Sequence, residues 1–137
     1  MKLAFHLALP CKSISETKKF YTTVLGATVG RQSNKWVDIN LYENQLTFTK
    51  SGDFSFQYKN YKLGTHVLPS FHFGVIVPMD VWKKLYDELN ESNQEVTTEV
   101  NFMKEKKGEH FSFFIQDPNG FTVEFKSFKN KDEIFSS

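Results

Sequence analysis

Apolar and polar residues alternate over 2–9. Phe5, Leu7 and Leu9 fall on one side and His6 and Ala8 on the other, the two-residue period of a strand that Pro10 should close. Ser13 then stands where an N-cap is needed, with Glu16 in the first turn. Ile14, Thr17, Phe20, Tyr21, Val24 and Leu25 recur at helical spacing as far as Gly26. Three short strands are predicted over 28–32, 36–42 and 45–50, the last two joined through Glu43-Asn44. Residues 51–69, which include Gly52, Gly64 and Pro69, show no clear period and read as a connector.

The pattern then starts again. A strand over 70–77 ends at Pro78, with Phe71, Phe73 and Val75 on one side and His72, Gly74 and Ile76 on the other. Asp80 is placed to cap a helix carrying Val81, Trp82, Leu85, Tyr86 and Leu89. Strands over 97–103, 110–116 and 121–127 follow, the last two linked by Asp117-Pro118-Asn119-Gly120, a composition suited to a type I turn. The tail is polar, although Ile134 and Phe135 could pack. Each half therefore reads strand-helix-strand-strand-strand. Phe5-His6-Leu7 matches Phe71-His72-Phe73 at an offset of 66, the helices match at 65, and the final hairpins at 75, which sets Thr47 against Thr122 and Thr49 against Glu124. Three registers in the right order point to a duplicated module. The expected organisation is one domain, 1–137, with module 1 at about 1–50, a connector at 51–69, module 2 at about 70–127 and a tail at 128–137.

A helix must cover one face of each four-strand set. Phe5, Leu7, Leu9, Phe71, Phe73, Val75, Phe121, Val123 and Phe125 suit the covered faces, which leaves His6, His72 and Glu124 on the opposite ones. Two imidazoles and a carboxylate on rigid strands are a 2-His-1-carboxylate set, able to hold a divalent ion with positions open for substrate and oxygen. The alternative is three satisfied polar residues on sheet surfaces. A glutamate on a semi-apolar face is costly unless paired or bound to a cation.

Composition narrows the field. In 137 residues, 17 basic against 16 acidic side chains leave a net charge of +1, and Arg31 is the single arginine. That balance argues against nucleic-acid or membrane-surface partners, which need a clustered positive field. One cysteine, Cys11, excludes an internal disulfide and a cysteine-based zinc site. No apolar run approaches a membrane span and the first residues do not form a signal peptide, so a cytoplasmic location is expected. Fifteen phenylalanines suggest either an aromatic core or an aromatic-lined pocket.

Taken together, Phe5-His6-Leu7-Ala8, Phe20-Tyr21 with Val24-Leu25-Gly26, Gly30-Arg31-Gln32-Ser33, Trp36-Val37-Asp38, Asn44-Gln45-Leu46, Pro69 through Val75, and Asp117-Pro118-Asn119-Gly120 with Glu124-Phe125-Lys126 resemble the vicinal oxygen chelate superfamily. That superfamily includes glyoxalase I, fosfomycin- and bleomycin-resistance proteins and extradiol dioxygenases. The likeness covers 3–127 and is strongest to predicted dioxygenases of the extradiol type. It implies an α+β fold in which two βαβββ modules form a half-open mixed β-barrel with the helices outside. By the resemblance His6, His72 and Glu124 are the metal ligands, with Fe(II) or Mn(II) favoured and Zn or Ni possible. The substrate would be a small vicinal-oxygen compound with O2 as possible co-substrate, and the assembly a homodimer. Thr49, where the narrower group would offer a histidine, is a poor ligand, which favours an open three-ligand site. The rival readings are a glyoxalase-like isomerase or lyase and a metal-free small-molecule binding or resistance protein.

Further candidates are His110 as acid or base, Tyr42 as donor to a bound oxygen, and Gln45 and Thr49 lining a pocket. Arg31 with Trp36 and Asp38 would form either a substrate-carboxylate site or a structural cluster. His66 is a candidate for reaching over the pocket mouth. Cys11, before a helix N-terminus, has no evident partner.

Overall fold

The computed structural model describes residues 1–136. It contains the two predicted modules. The first is β1 (His6–Cys11), α1 (Ile14–Lys19), β2 (Thr28–Gln32), β3 (Trp36–Leu41) and β4 (Asn44–Lys50). The second is β7 (Phe73–Ile76), α2 (Met79–Glu91), β8 (Thr98–Phe102), β9 (His110–Gln116) and β10 (Thr122–Phe128). Between them, the expected featureless connector holds a two-stranded hairpin, β5 (Asn60–Leu63) and β6 (His66–Pro69). Each module forms a four-stranded mixed sheet, ordered β1-β4-β3-β2 in the first and β7-β10-β9-β8 in the second. The residues fall into two compact units, Met1–Gln57 with Asp117–Gly120, and Tyr58–Gln116 with Phe121–Ser137.

In the first unit Ser13 caps α1 as predicted, its Oγ accepting from the Glu16 N–H at 3.2 Å. The helix continues as a π-turn over Phe20–Val24, where Thr22 bonds back to the Lys18 carbonyl. Gly26, at φ 71°, ends it. Pro10 does not end β1. It lies within the strand opposite Thr49, a position open to proline because β1 is an edge. Buried Tyr21, Leu25, Val37, Ile39, Leu41, Leu46 and Phe48 make the core. The hairpin joining β3 to β4 turns at Tyr42-Glu43, both at positive φ, one residue earlier than the sequence suggested.

The Asp117–Gly120 turn closes as predicted, Gly120 N–H donating to the Asp117 carbonyl at 3.1 Å. It is more than a turn. The Tyr21 hydroxyl donates to Asp117 Oδ2 at 2.9 Å, Asn119 Nδ2 donates to Thr17 Oγ1, and the Lys12 N–H donates to Asn119 Oδ1. All four side chains are buried, so each polar atom needs a partner where it sits. Burial and the neighbouring carboxylate push the Tyr21 phenol well above its ordinary range.

The second unit buries its aromatic residues beneath α2. Trp82 packs on Phe111, Phe113 and Tyr86, donates Nε1–H to the Phe125 carbonyl at 2.9 Å, and Phe113 stacks on Phe125. Six of the fifteen phenylalanines, Phe20, Phe48, Phe113, Phe114, Phe121 and Phe125, are thus buried in the core. Asp80 lies in the first turn, with Pro78 at the cap. Gly74 faces Glu124 across the β7–β10 ladder so closely that a Cβ there would lie 1.7 Å from the Glu124 carbonyl oxygen.

Two stability measurements follow. Tyr21→Phe should lower the urea-unfolding free energy by about 2 kcal/mol, the range for a hydrogen bond to a charged group; a loss below about 0.5 kcal/mol contradicts the role assigned to this network. Gly74→Ala should cost about 2 kcal/mol or more through forced separation of β7 from β10; a neutral substitution contradicts the close approach.

Candidate functional site

Each sheet turns one face to its helix and leaves the other open. On the second sheet the alternation that sends Val123 and Phe125 under α2 sends Glu124 and Lys126 to the open face. Ser112 and Phe114 of β9 join them there as register partners. His72 lies just before β7 rather than within it, and its Nε2 stands 3.1 Å from Glu124 Oε2. The Nδ1 atom, 2.9 Å from the Pro69 carbonyl, can only donate to it, which fixes the ring. Lys126 Nζ lies 3.7 Å from the other Glu124 oxygen.

The hydrogen bond to Glu124 raises the His72 pKa against the opposing effect of burial. Burial would raise the Glu124 carboxyl, but the hydrogen bonds from His72 and Ser112 and the nearby charges hold it below its usual range. The two shifts agree: the pair favours imidazolium and carboxylate. Ser112, fully buried on the same face, stands beside that carboxylate.

The β5–β6 hairpin lies over this face. Leu68, 2% exposed, packs with Val100 and Phe114, with Phe102 alongside. A cavity of about 300 Å³ remains beneath it, lined by Tyr61, Leu63 and Leu68 from the hairpin side and by His72, Glu124, Lys126, Phe102, Met103, His110 and Phe114. His110 lies at the other end: it pairs with Phe128, four residues along β10 from Glu124, or about 13 Å at strand rise. Its ring stacks between Phe102 and Phe128, and Nδ1 donates to the Gly108 carbonyl at 2.8 Å. His66 is exposed on β6, its ring 6.3 Å from Phe102.

On the open face of the first sheet a second buried carboxylate, Asp38, takes three donors. They are Thr47 Oγ1 at 2.7 Å, Arg31 Nε at 3.0 Å and Gln45 Nε2 at 3.1 Å. Arg31 also lies over the Trp36 ring, its Cζ 5.6 Å from the centroid. Arg31, Asp38 and Gln45 border a cavity of about 250 Å³. His6 is exposed on the same face, paired with Gln45. Thr49 and Tyr42 line neither cavity: Thr49 pairs with Pro10 and Trp36, and Tyr42 sits in the β3–β4 turn. Burial pushes the Cys11 thiol up, the opposite of an activated nucleophile.

The structure therefore brings His72 to Glu124 and Arg31 to Gln45. Among the described residues no three His, Cys, Asp or Glu side chains gather as a metal-holding group. Strand pairing also revises the internal repeat. Ala8 faces Thr47 as Gly74 faces Glu124, so Thr47, not Thr49, holds the place equivalent to Glu124. The longer Asp117–Gly120 loop caused the slip. The sequence reading missed Lys126, Ser112 and Leu68. The first two were legible as open-face neighbours of Glu124 by alternation, whereas Leu68 lay in a segment read as featureless.

Burial would raise the Asp38 carboxyl, but the hydrogen bonds from Thr47 and Arg31, with the Arg31 charge and Gln45, bring it below its ordinary value. A depressed carboxyl contributes stability above its unfolded pKa and loses that contribution as pH falls through the folded one. Urea midpoints measured from about pH 6 down to pH 2 should therefore fall less steeply in Asp38→Asn than in the wild type. Parallel curves would contradict the assignment.

Comparison with known proteins places this geometry. A glyoxalase/bleomycin resistance protein/dioxygenase from Alicyclobacillus acidocaldarius superposes with a TM-score of 0.80 at 22% identity, covering 96% of each chain. A lactoylglutathione lyase from Agrobacterium tumefaciens gives 0.67 at 14% identity, covering 93% of this chain and 94% of that one. A fosfomycin resistance protein from Listeria monocytogenes gives 0.66 at 14%, covering 97% and 98%. These likenesses speak for the fold. No curated protein matches the chain. The sequence profile of one family does, over residues 4–125, and with two βαβββ modules in place the chain belongs to that family, the Glyoxalase/Bleomycin resistance protein/Dioxygenase superfamily, also known as vicinal oxygen chelate proteins.

Proposed function

We propose that the chain is a metal-dependent enzyme of the extradiol-dioxygenase type acting on a small vicinal-oxygen substrate, with His72 and Glu124 as the core of its metal site. The observation that carries this reading is the 3.1 Å separation of His72 Nε2 and Glu124 Oε2. Two donors about 2.1 Å from one ion and at right angles to it stand about 3.0 Å apart. An ion bound by both atoms would take the place of the Nε2–H proton and lie to one side of the Nε2···Oε2 line. The other requirements of a ligand histidine are also met. Its Nδ1–H is committed to the Pro69 carbonyl, so Nε2 becomes the lone-pair donor once that proton leaves.

The resemblance names His6, on the open face of its own sheet, as the third ligand, with Fe(II) or Mn(II) as the favoured ion. Such an ion supplies Lewis acidity and a path for electrons between substrate oxygens and O2. The chain supplies the rest. Phe102, Phe114 and Leu68 give the cavity an apolar wall. Lys126 tempers the Glu124 charge and can meet a substrate oxyanion. His110 meets the far end of a bound molecule, with Nε2 able to accept a proton because Nδ1 donates to Gly108. Arg31 and Gln45, oriented by Asp38, offer substrate contacts on the first sheet. A cytoplasmic homodimer completes the reading.

A metal-free small-molecule binder is the second reading. It is favoured by the way His72 and Glu124 already satisfy each other beside an apolar cavity. Metal analysis separates the two. Protein purified without chelator should carry or take up stoichiometric Fe(II) or Mn(II), and His72→Ala and His6→Ala should each abolish uptake with the circular-dichroism spectrum unchanged. Oxygen should be consumed with catechols under air, with no turnover under argon. Absence of uptake by the wild type leaves only the binder, and unchanged uptake in His72→Ala overturns the ligand assignment.

A further inference from the structure

We propose that the β5–β6 hairpin is a hinged cover over the His72–Glu124 cavity, and that its Leu68 anchor and its last residue, Pro69, make closing the cover and orienting the His72 ring a single event. The hairpin forms its own two-stranded sheet, hydrogen-bonded in register to neither four-stranded sheet. Its turn, Gly64-Thr65, has glycine at φ 61° in the first central position, the arrangement a two-residue hairpin loop needs. Seven of its eight strand residues are exposed or half-exposed, and Leu68 alone is buried. The hairpin is thus a rigid flap of low local stability held by one apolar side chain among Val100, Phe114 and Phe102.

The position of that anchor gives the flap its consequence. Pro69, the next residue, provides the carbonyl that accepts the His72 Nδ1–H. Ser70 then donates its hydroxyl to the Lys59 carbonyl and ties the base of the flap just ahead of β5. Leu68 cannot leave its slot without moving the Pro69 carbonyl, and the ring then loses the bond that holds Nδ1–H inward and Nε2 toward Glu124. The same movement withdraws Tyr61, Leu63 and Leu68 from the cavity wall. An open cover therefore admits a small apolar ligand to a site whose histidine is unset, and closure on the ligand sets it. Leu68 is a positioning residue, acting through Pro69. The coupling stands on these contacts alone, and only its metal readout rests on the ligand role proposed above for His72.

The test compares the wild type with Leu68→Ala in the full chain by three readouts: amide hydrogen exchange over 60–69, the ring nitrogen resonances of His72, and Mn(II) affinity. Leu68→Ala should lower hairpin protection while leaving β9 and β10 protected, should remove the Nδ1–H donor signature of His72, and should weaken Mn(II) binding by about tenfold or more. Leu68→Met should restore all three. A loosened hairpin with an unchanged His72 ring signature overturns the coupling, and unchanged hairpin protection overturns the anchor. Should Leu68→Ala fail to fold, Leu68→Val is held to the same criteria. A wild type that takes up no Mn(II) overturns the metal reading, while exchange and ring resonances still decide the cover.

Discussion

A carboxylate pressed onto a half-apolar sheet face must find compensating charge or donors where it lies, because moving it to water would undo the strand. Each sheet of this protein holds one such group on its open face, and the surrounding chemistry is organised about it. Asp38 is answered within the sheet by a hydroxyl, a guanidinium and an amide. Glu124 is answered by a histidine from outside the strands and by a lysine two residues along. The first solution is closed, with hydrogen bonds to both oxygens. The second has a cavity alongside, so it can exchange its proton for something else.

This difference is how a duplicated module has diverged. The strand positions correspond: Thr47 of the first sheet stands where Glu124 stands in the second, and Asp38, its partner on β3, stands where Phe114 does. The carboxylate has in effect moved one strand across. On β3 it is surrounded by neighbours that can all reach it from the sheet itself. On β10, beside the edge strand β7, its partner has to come from the chain entering β7, which is where His72 lies. Gly74 makes that approach close, since no side chain fits between β7 and the Glu124 backbone. The geometry of the second site thus depends on a glycine at an edge-strand position where the first sheet, with the equivalent edge β1, carries Ala8.

Much of this was legible in the sequence, for identifiable reasons. The eight sheet strands and both helices follow from periods that burial enforces on one face, and the Ser13 cap from a local hydrogen bond. The open-face placement of Glu124 follows from alternation with Val123 and Phe125, which aromatic packing beneath Trp82 makes unambiguous. What escaped was what local pattern does not encode. The hairpin at 60–69 has almost no buried face, so hydrophobic periodicity could not reveal it, and only the Gly64 turn signalled it. Pro10 marked a stop by propensity, but an edge strand has no inward donor to lose there. The repeat register slipped because a two-residue loop and a five-residue loop join equivalent strands, and residue matching cannot see loop length. The burial of Asp117 and Asn119 needed partners about a hundred residues away, Tyr21 and Thr17.

The placement of the flexible element follows from the same constraint. A pair such as His72–Glu124 has little differential reactivity while water reaches it, since water screens the charge and competes for both ligands. A permanently sealed pair would admit no substrate. The region that resolves this conflict has to be weakly held, adjacent to the histidine in sequence, and apolar toward the cavity. The segment before His72 has all three properties: few buried contacts, a carbonyl one turn from the ring, and Leu68 facing Phe114. In the first module Asp38, satisfied within its own sheet, has no need of such a segment.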